Sequence, residues 1–168
     1  MCLPFACMPL LAAASSSPPN DLTGLVGFAD ASACEPNKTF ADFLSSLMTF
    51  HRGRFGIGHV KAATRVQPFL GTPILKARPS EGLNAHEVVM PVSGKWQGLH
   101  ITHVASYLAP EGHYGFTIRF RDSAAAVRKQ LNTLGFALPA SGAREIDDPP
   151  SGIAVMGDAV EAKLDCYF

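Results

Sequence analysis

An α+β fold, one domain of mainly antiparallel sheet with two hairpins packed by two amphipathic helices, is what this sequence predicts. Two stretches carry apolar residues at helical spacing, and two others alternate apolar and polar residues around turn-forming segments. The short connections between the alternating stretches favour antiparallel pairing, because parallel strands need long crossovers.

The first helical signal begins at Thr39. Thr39-Phe40-Ala41-Asp42 resembles a capping box, with a hydroxyl to accept a backbone N–H and an acid at the positive end of the helix. Phe40, Phe43, Leu44, Leu47, Met48 and Phe50 follow at steps that place them on one helical stripe, and Gly53, Gly56 and Gly58 end it. Between His59 and Arg78, short apolar runs broken by Pro68, Pro73 and Pro79 read as short or edge strands. Val88-Val89-Met90 reads as another, closed by Pro91 and Ser93-Gly94.

The clearest hairpin runs from Trp96 to Tyr107, turns through Ala109-Pro110-Glu111-Gly112, and returns from His113 to Arg121. Strict alternation puts Leu99, Ile101, His103, Ala105 and Tyr107 on the core face with Tyr114, Phe116, Ile118 and Phe120. His100, Thr102, Thr117, Arg119 and Arg121 then share the polar face. Asp122 or Ser123 caps a second helix with Val127, Leu131 and Leu134 on its buried stripe and Gly135 at its stop. After a long loop rich in proline and aspartate, Ile153–Met156 and Ala159–Phe168 form a second hairpin around Gly157-Asp158, with Val160, Ala162, Leu164, Cys166 and Phe168 on one face.

The chain of 168 residues is 47% hydrophobic and 17% charged, enough apolar content for a true core in a single domain. Its 14 basic and 14 acidic residues cancel, which argues against a nucleic-acid partner held by a generally positive surface. No apolar run approaches the roughly 18 residues that span a bilayer. Residues 1–14 read as a signal peptide, because an apolar run precedes the small residues Ala12-Ala13-Ala14. Residues 15–38 read as a linker or loosely ordered arm, and residues 39–168 as the globular domain. Cleavage of the leader removes Cys2 and Cys7 and leaves Cys34 and Cys166, so one disulfide and a secreted or periplasmic location are expected.

No P-loop, HExxH, GxSxG or paired CxxC motif is present, and no cofactor or metal is expected. His100 and His103 have HxxH spacing, but on a strand they face opposite ways, and His103 reads as a hydrogen-bonded core histidine. The strongest candidate is the polar face of the first hairpin, where His100 lies opposite Arg121 and Thr102 opposite Arg119. Guanidinium groups there can hold a carboxylate or phosphate. Internal ion pairs with Glu161 and Asp165 are the competing reading.

A second candidate is the Arg52–His59 loop. No acid occurs between Phe43 and Ser80, while Arg52, Arg54, Lys61, Arg65, Lys76 and Arg78 are basic, so Arg52, Arg54 and His59 form a glycine-rich anion-binding element. Six acids against two bases from Arg144 onward offer this segment an internal partner instead. Together these features read as an exported binding or accessory domain for a small anionic ligand or a protein partner. The alternative is a small hydrolase or isomerase with a His/Arg-lined pocket on a curved sheet.

Overall fold

A computed structural model describes residues 20–78, 85–147 and 151–168. The signal-peptide reading of residues 1–14 lies outside the described residues. In chain order the elements are β1 (Phe28–Asp30), β2 (Glu35–Pro36), α1 (Lys38–Leu47), β3 (Met48–His51), β4 (Arg54–Ile57), β5 (Ile74–Ala77), β6 (His86–Trp96) and β7 (Leu99–Leu108). There follow β8 (Tyr114–Phe120), α2 (Ala124–Thr133), β9 (Ala143–Asp147), β10 (Ser151–Gly157) and β11 (Ala162–Tyr167). Seven strands form one sheet in the order β5-β6-β7-β8-β11-β10-β9, every neighbouring pair antiparallel, which is the α+β architecture expected. β1-β2 and β3-β4 are small separate hairpins.

Two meanders make the sheet, and α2 carries the chain between them. α1 packs on β7, and α2 on β10 and β11, so one face of the sheet becomes the core. Phe40, Phe43, Leu44 and Leu47 of α1 are buried there, each side chain contributing about 1.5–3 kcal/mol. Phe28 joins the layers, its ring centroid 4.8 Å from Phe136 and 5.8 Å from both Phe40 and Trp96.

Several boundaries depart from the expectation. The cap of α1 is Asn37, whose side chain accepts from Phe40 N at 3.0 Å, so the helix starts before Thr39. Met48 and Phe50 leave the helical stripe and enter β3. Positive φ at Arg52 (50°) and Gly53 (76°) closes a two-residue hairpin turn to β4, and a paired strand replaces the last helical turn. Gln97 and Gly98, also at positive φ, turn the chain from Trp96 to Leu99, so Trp96 ends β6 instead of opening β7. The caps of α2 fall where expected, at Ser123 and around Gly135, whose φ is 97°. Part of the loop read after α2 is strand β9.

Residues 20–38, read as a linker or loose arm, carry the fully buried Leu22, Leu25, Val26 and Cys34. Polar composition hid the few apolar residues that anchor this stretch. Leu22 N donates to Lys95 O at 2.7 Å, which attaches the segment to the end of β6. Further along, Cys34 forms a disulfide with Cys166 of β11 across 132 residues of chain, with Cα atoms 6.2 Å apart.

On the face away from the helices, Tyr107 and Tyr167 lie over glycines of neighbouring strands. A Cβ on Gly115 would collide with the Tyr107 hydroxyl and the Cys166 carbonyl. Gly115→Ala is therefore expected to cost about 1–3 kcal/mol in urea unfolding, and an unchanged midpoint would contradict this packing. Reduction of the Cys34–Cys166 bridge is expected to lower stability by about 5 kcal/mol in the chain-entropy limit; coincident unfolding curves with and without reductant would contradict it.

Candidate functional site

The helix-free face of the sheet holds most of the polar chemistry, and two bulges decide which side chains reach it. In β6, Pro91 pairs with His103 and Gly94 with Ile101, so β6 carries one extra residue there. In β7, Ile101 pairs with Phe120 but His103 with Arg119, so Thr102 is the extra residue on its side. Beyond Thr102 the alternation of β7 is inverted. Val104 faces the core opposite Ile118, while His103, Ala105 and Tyr107 face outward with Arg119, Thr117 and Gly115.

This inversion corrects the expected faces. His103 is not a core histidine but half-buried on the outer face, with Nδ1 3.1 Å from Thr102 Oγ1. Burial, with Arg119 and Lys76 nearby, holds its pKa below the usual histidine value, which favours the neutral ring. Thr102 does not stand opposite Arg119, although its hydroxyl donates to the Arg119 carbonyl at 3.4 Å. His100 does lie beside Arg121, whose N–H donates to the His100 carbonyl at 2.9 Å.

Between the bulges and the N-terminal arm lies an open groove of about 360 Å³, lined by Asn20, Val92, Ser93, Gly94, Lys95, His100, Ile101, Thr102, His103 and Arg121. Gly94 admits the arm, because a Cβ there would overlap Asn20 O and Leu22. No acid lines the groove, and neither Lys95 nor Arg121 has a carboxylate within ion-pair distance among the described residues. Asp122 sits behind His100, accepting from its backbone N–H at 2.7 Å, with the other carboxylate oxygen 3.5 Å from Nδ1. The His100 side chain is 51% exposed.

The remaining sequence candidates do not converge on this groove. Arg119 pairs with Glu161 at 3.4 Å and lines a separate depression with Lys163 and Met156. Arg52 lies in the β3–β4 turn and Arg54 opens β4, so both belong to a paired hairpin away from the groove. Phe55 of that hairpin stacks on His86 at 4.4 Å. His86 and Lys95 lie near opposite ends of the 11-residue β6, about 30 Å apart at strand rise. His59 lines a different depression beside α1 with Thr39, Asp42 and Lys61.

Asn20, Ser93 and Lys95 are polar groove residues that sequence reasoning missed, and His103 is one that it placed on the core face. Lys95 opposite His100 was the accessible signal, had the Gln97-Gly98 turn been recognised. Arg78 and Asp165 provide the internal pairing that the sequence offered between the basic segment and the acidic C-terminal one. They pair at 2.8 Å beneath the outer surface, with the Arg78 guanidinium 3.6 Å above the Tyr107 ring. Burial, with Asp165 nearby, raises the Tyr107 pKa above its ordinary value.

Among the described residues no group of three or more His, Cys, Asp or Glu side chains can hold a metal, and no helix is long and apolar enough to cross a membrane. Fold and groove together define an α+β domain with a cationic cleft at a bulged sheet end. No protein-family model, curated protein or solved structure matches the chain.

His103 is expected to titrate below the ordinary value of about 6.5 in an NMR pH series, and Arg119→Ala to move it upward by removing a nearby positive charge. Titration at or above that value in the unaltered chain would contradict the outward, half-buried placement.

Proposed function

We propose that this chain is an exported, non-catalytic binding domain whose ligand is a small anion, a phosphate or carboxylate group, seated in the groove between the two bulges. One observation carries the reading: the groove is lined by Lys95, Arg121 and two histidines and by no acid. Cations without carboxylate partners leave their field to an incoming anion, and Arg121 offers parallel N–H donors for a planar or tetrahedral oxyanion. Thr102 and Ser93 add hydroxyl groups at the same wall.

Export is supported by the buried Cys34–Cys166 bridge, which persists in oxidising compartments, and by the apolar leader-like start of the sequence. Binding is favoured over catalysis because the groove is open and His100 is half exposed. Such a site excludes little water from a reacting group. The second reading, a small hydrolase or isomerase, draws on the His100–Asp122 contact at 3.5 Å, in which a carboxylate orients an imidazole.

Calorimetric titration with inorganic phosphate and with acetate tests the first reading. Binding of either anion that weakens roughly tenfold in Arg121→Ala, and again in Lys95→Ala, is the expected result, with Arg119→Ala unchanged. Equal affinity in all variants, or no binding of either anion, contradicts it. Turnover of an activated ester that disappears in His100→Ala would favour the enzyme instead.

A further inference from the structure

From the β3–β4 hairpin we infer that the chain docks on anionic lipid surfaces through this element, independently of the groove. Register places Met48, Phe50, Phe55 and Ile57 on one face of the hairpin and Thr49, His51, Arg54 and Gly56 on the other. The body of the domain covers the apolar face only in part. Phe55 stacks on His86, whereas Phe50 remains 48% exposed and Ile57 46% exposed.

Large apolar side chains left open on a two-stranded element are costly in water and mark an interaction surface when they adjoin one another. Phe50 and Phe55 lie 4.6 Å apart, so the exposed ring belongs to a continuous apolar strip. Charge identifies what covers it. Arg52, Arg54 and Lys61 have no carboxylate within ion-pair distance among the described residues, and no acid occurs in the sequence from Phe43 to Ser80.

Aromatic and aliphatic groups beside arginines match the boundary of a bilayer, where rings settle at headgroup depth and guanidinium groups meet lipid phosphates. An acidic protein partner would answer the charge as well. The lipid surface is favoured because the exposed Phe50 and Ile57 side chains are hydrocarbon that a polyanionic chain does not cover.

Co-sedimentation of the full oxidised chain with phosphatidylglycerol vesicles, and with phosphatidylcholine vesicles, tests the inference. Binding to the anionic vesicles alone is expected. Phe50→Ser with Ile57→Ser should abolish it, and Arg52→Gln with Arg54→Gln should weaken it roughly fivefold for each cation removed. Arg121→Ala should leave it intact, which separates this surface from the groove. An unchanged circular dichroism spectrum and a retained cooperative urea transition establish that each variant is folded. Three results overturn the inference: no vesicle binding by the unaltered chain, full binding by the folded Phe50/Ile57 variant, or polyglutamate competing as strongly as vesicles. Concentration-dependent dimerisation lost in the Phe50/Ile57 variant, without vesicle binding, also overturns it and assigns the face to a second copy.

Discussion

One additional residue in each of two adjacent strands governs the polar chemistry of this molecule. The bulge between Pro91 and Gly94 and the bulge at Thr102 lie side by side, and the one at Thr102 keeps the core filled while turning His103 outward. Upstream of Thr102, Leu99 and Ile101 fill the core; downstream, Val104 does, one position out of step with simple alternation. The inserted residue absorbs that offset. His103 thereby joins Arg119 on the outer face, beside the groove that Lys95, His100 and Arg121 line.

The N-terminal arm completes this end of the sheet, and the disulfide secures the arm's far end. Asn20 and Leu22 exchange backbone hydrogen bonds with Lys95, so the arm forms one wall of the groove. Cys34, beyond the buried Leu25 and Val26, is tied to the last strand. The bridge therefore links the wall of the groove to the centre of the sheet, because β11 lies between β8 and β10. A covalent tie of this span restricts the unfolded chain far more than a local one does.

Features with a repeating signature were legible in the residues. The stripe of α1, the caps of α2, the Ala109–Gly112 turn and the Cys34–Cys166 pairing all follow from spacing or from simple counting, and all are present. What stayed hidden has no repeating signature. A bulge at Thr102 costs only one residue, and His-Ile-Thr-His reads equally well as unbroken alternation; the burial of Val104 against Ile118 decides the register, and that is tertiary information. Phe50 fits a helical stripe and a strand equally, until Arg52 and Gly53 adopt positive φ. Of the predicted site, His100, Thr102 and Arg121 come together, while Arg119 turns to Glu161 and Arg52, Arg54 and His59 lie elsewhere, because charge type is visible in a sequence but convergence is not.

The pairing of β7 with β8 can be read directly from cross-strand nuclear Overhauser contacts between backbone protons. The bulged register predicts contacts linking His103 to Arg119 and Val104 to Ile118, with Thr102 outside the ladder. Contacts linking Thr102 to Arg119 and His103 to Ile118 would mean unbroken alternation, return His103 to the core, and remove the structural basis of the groove.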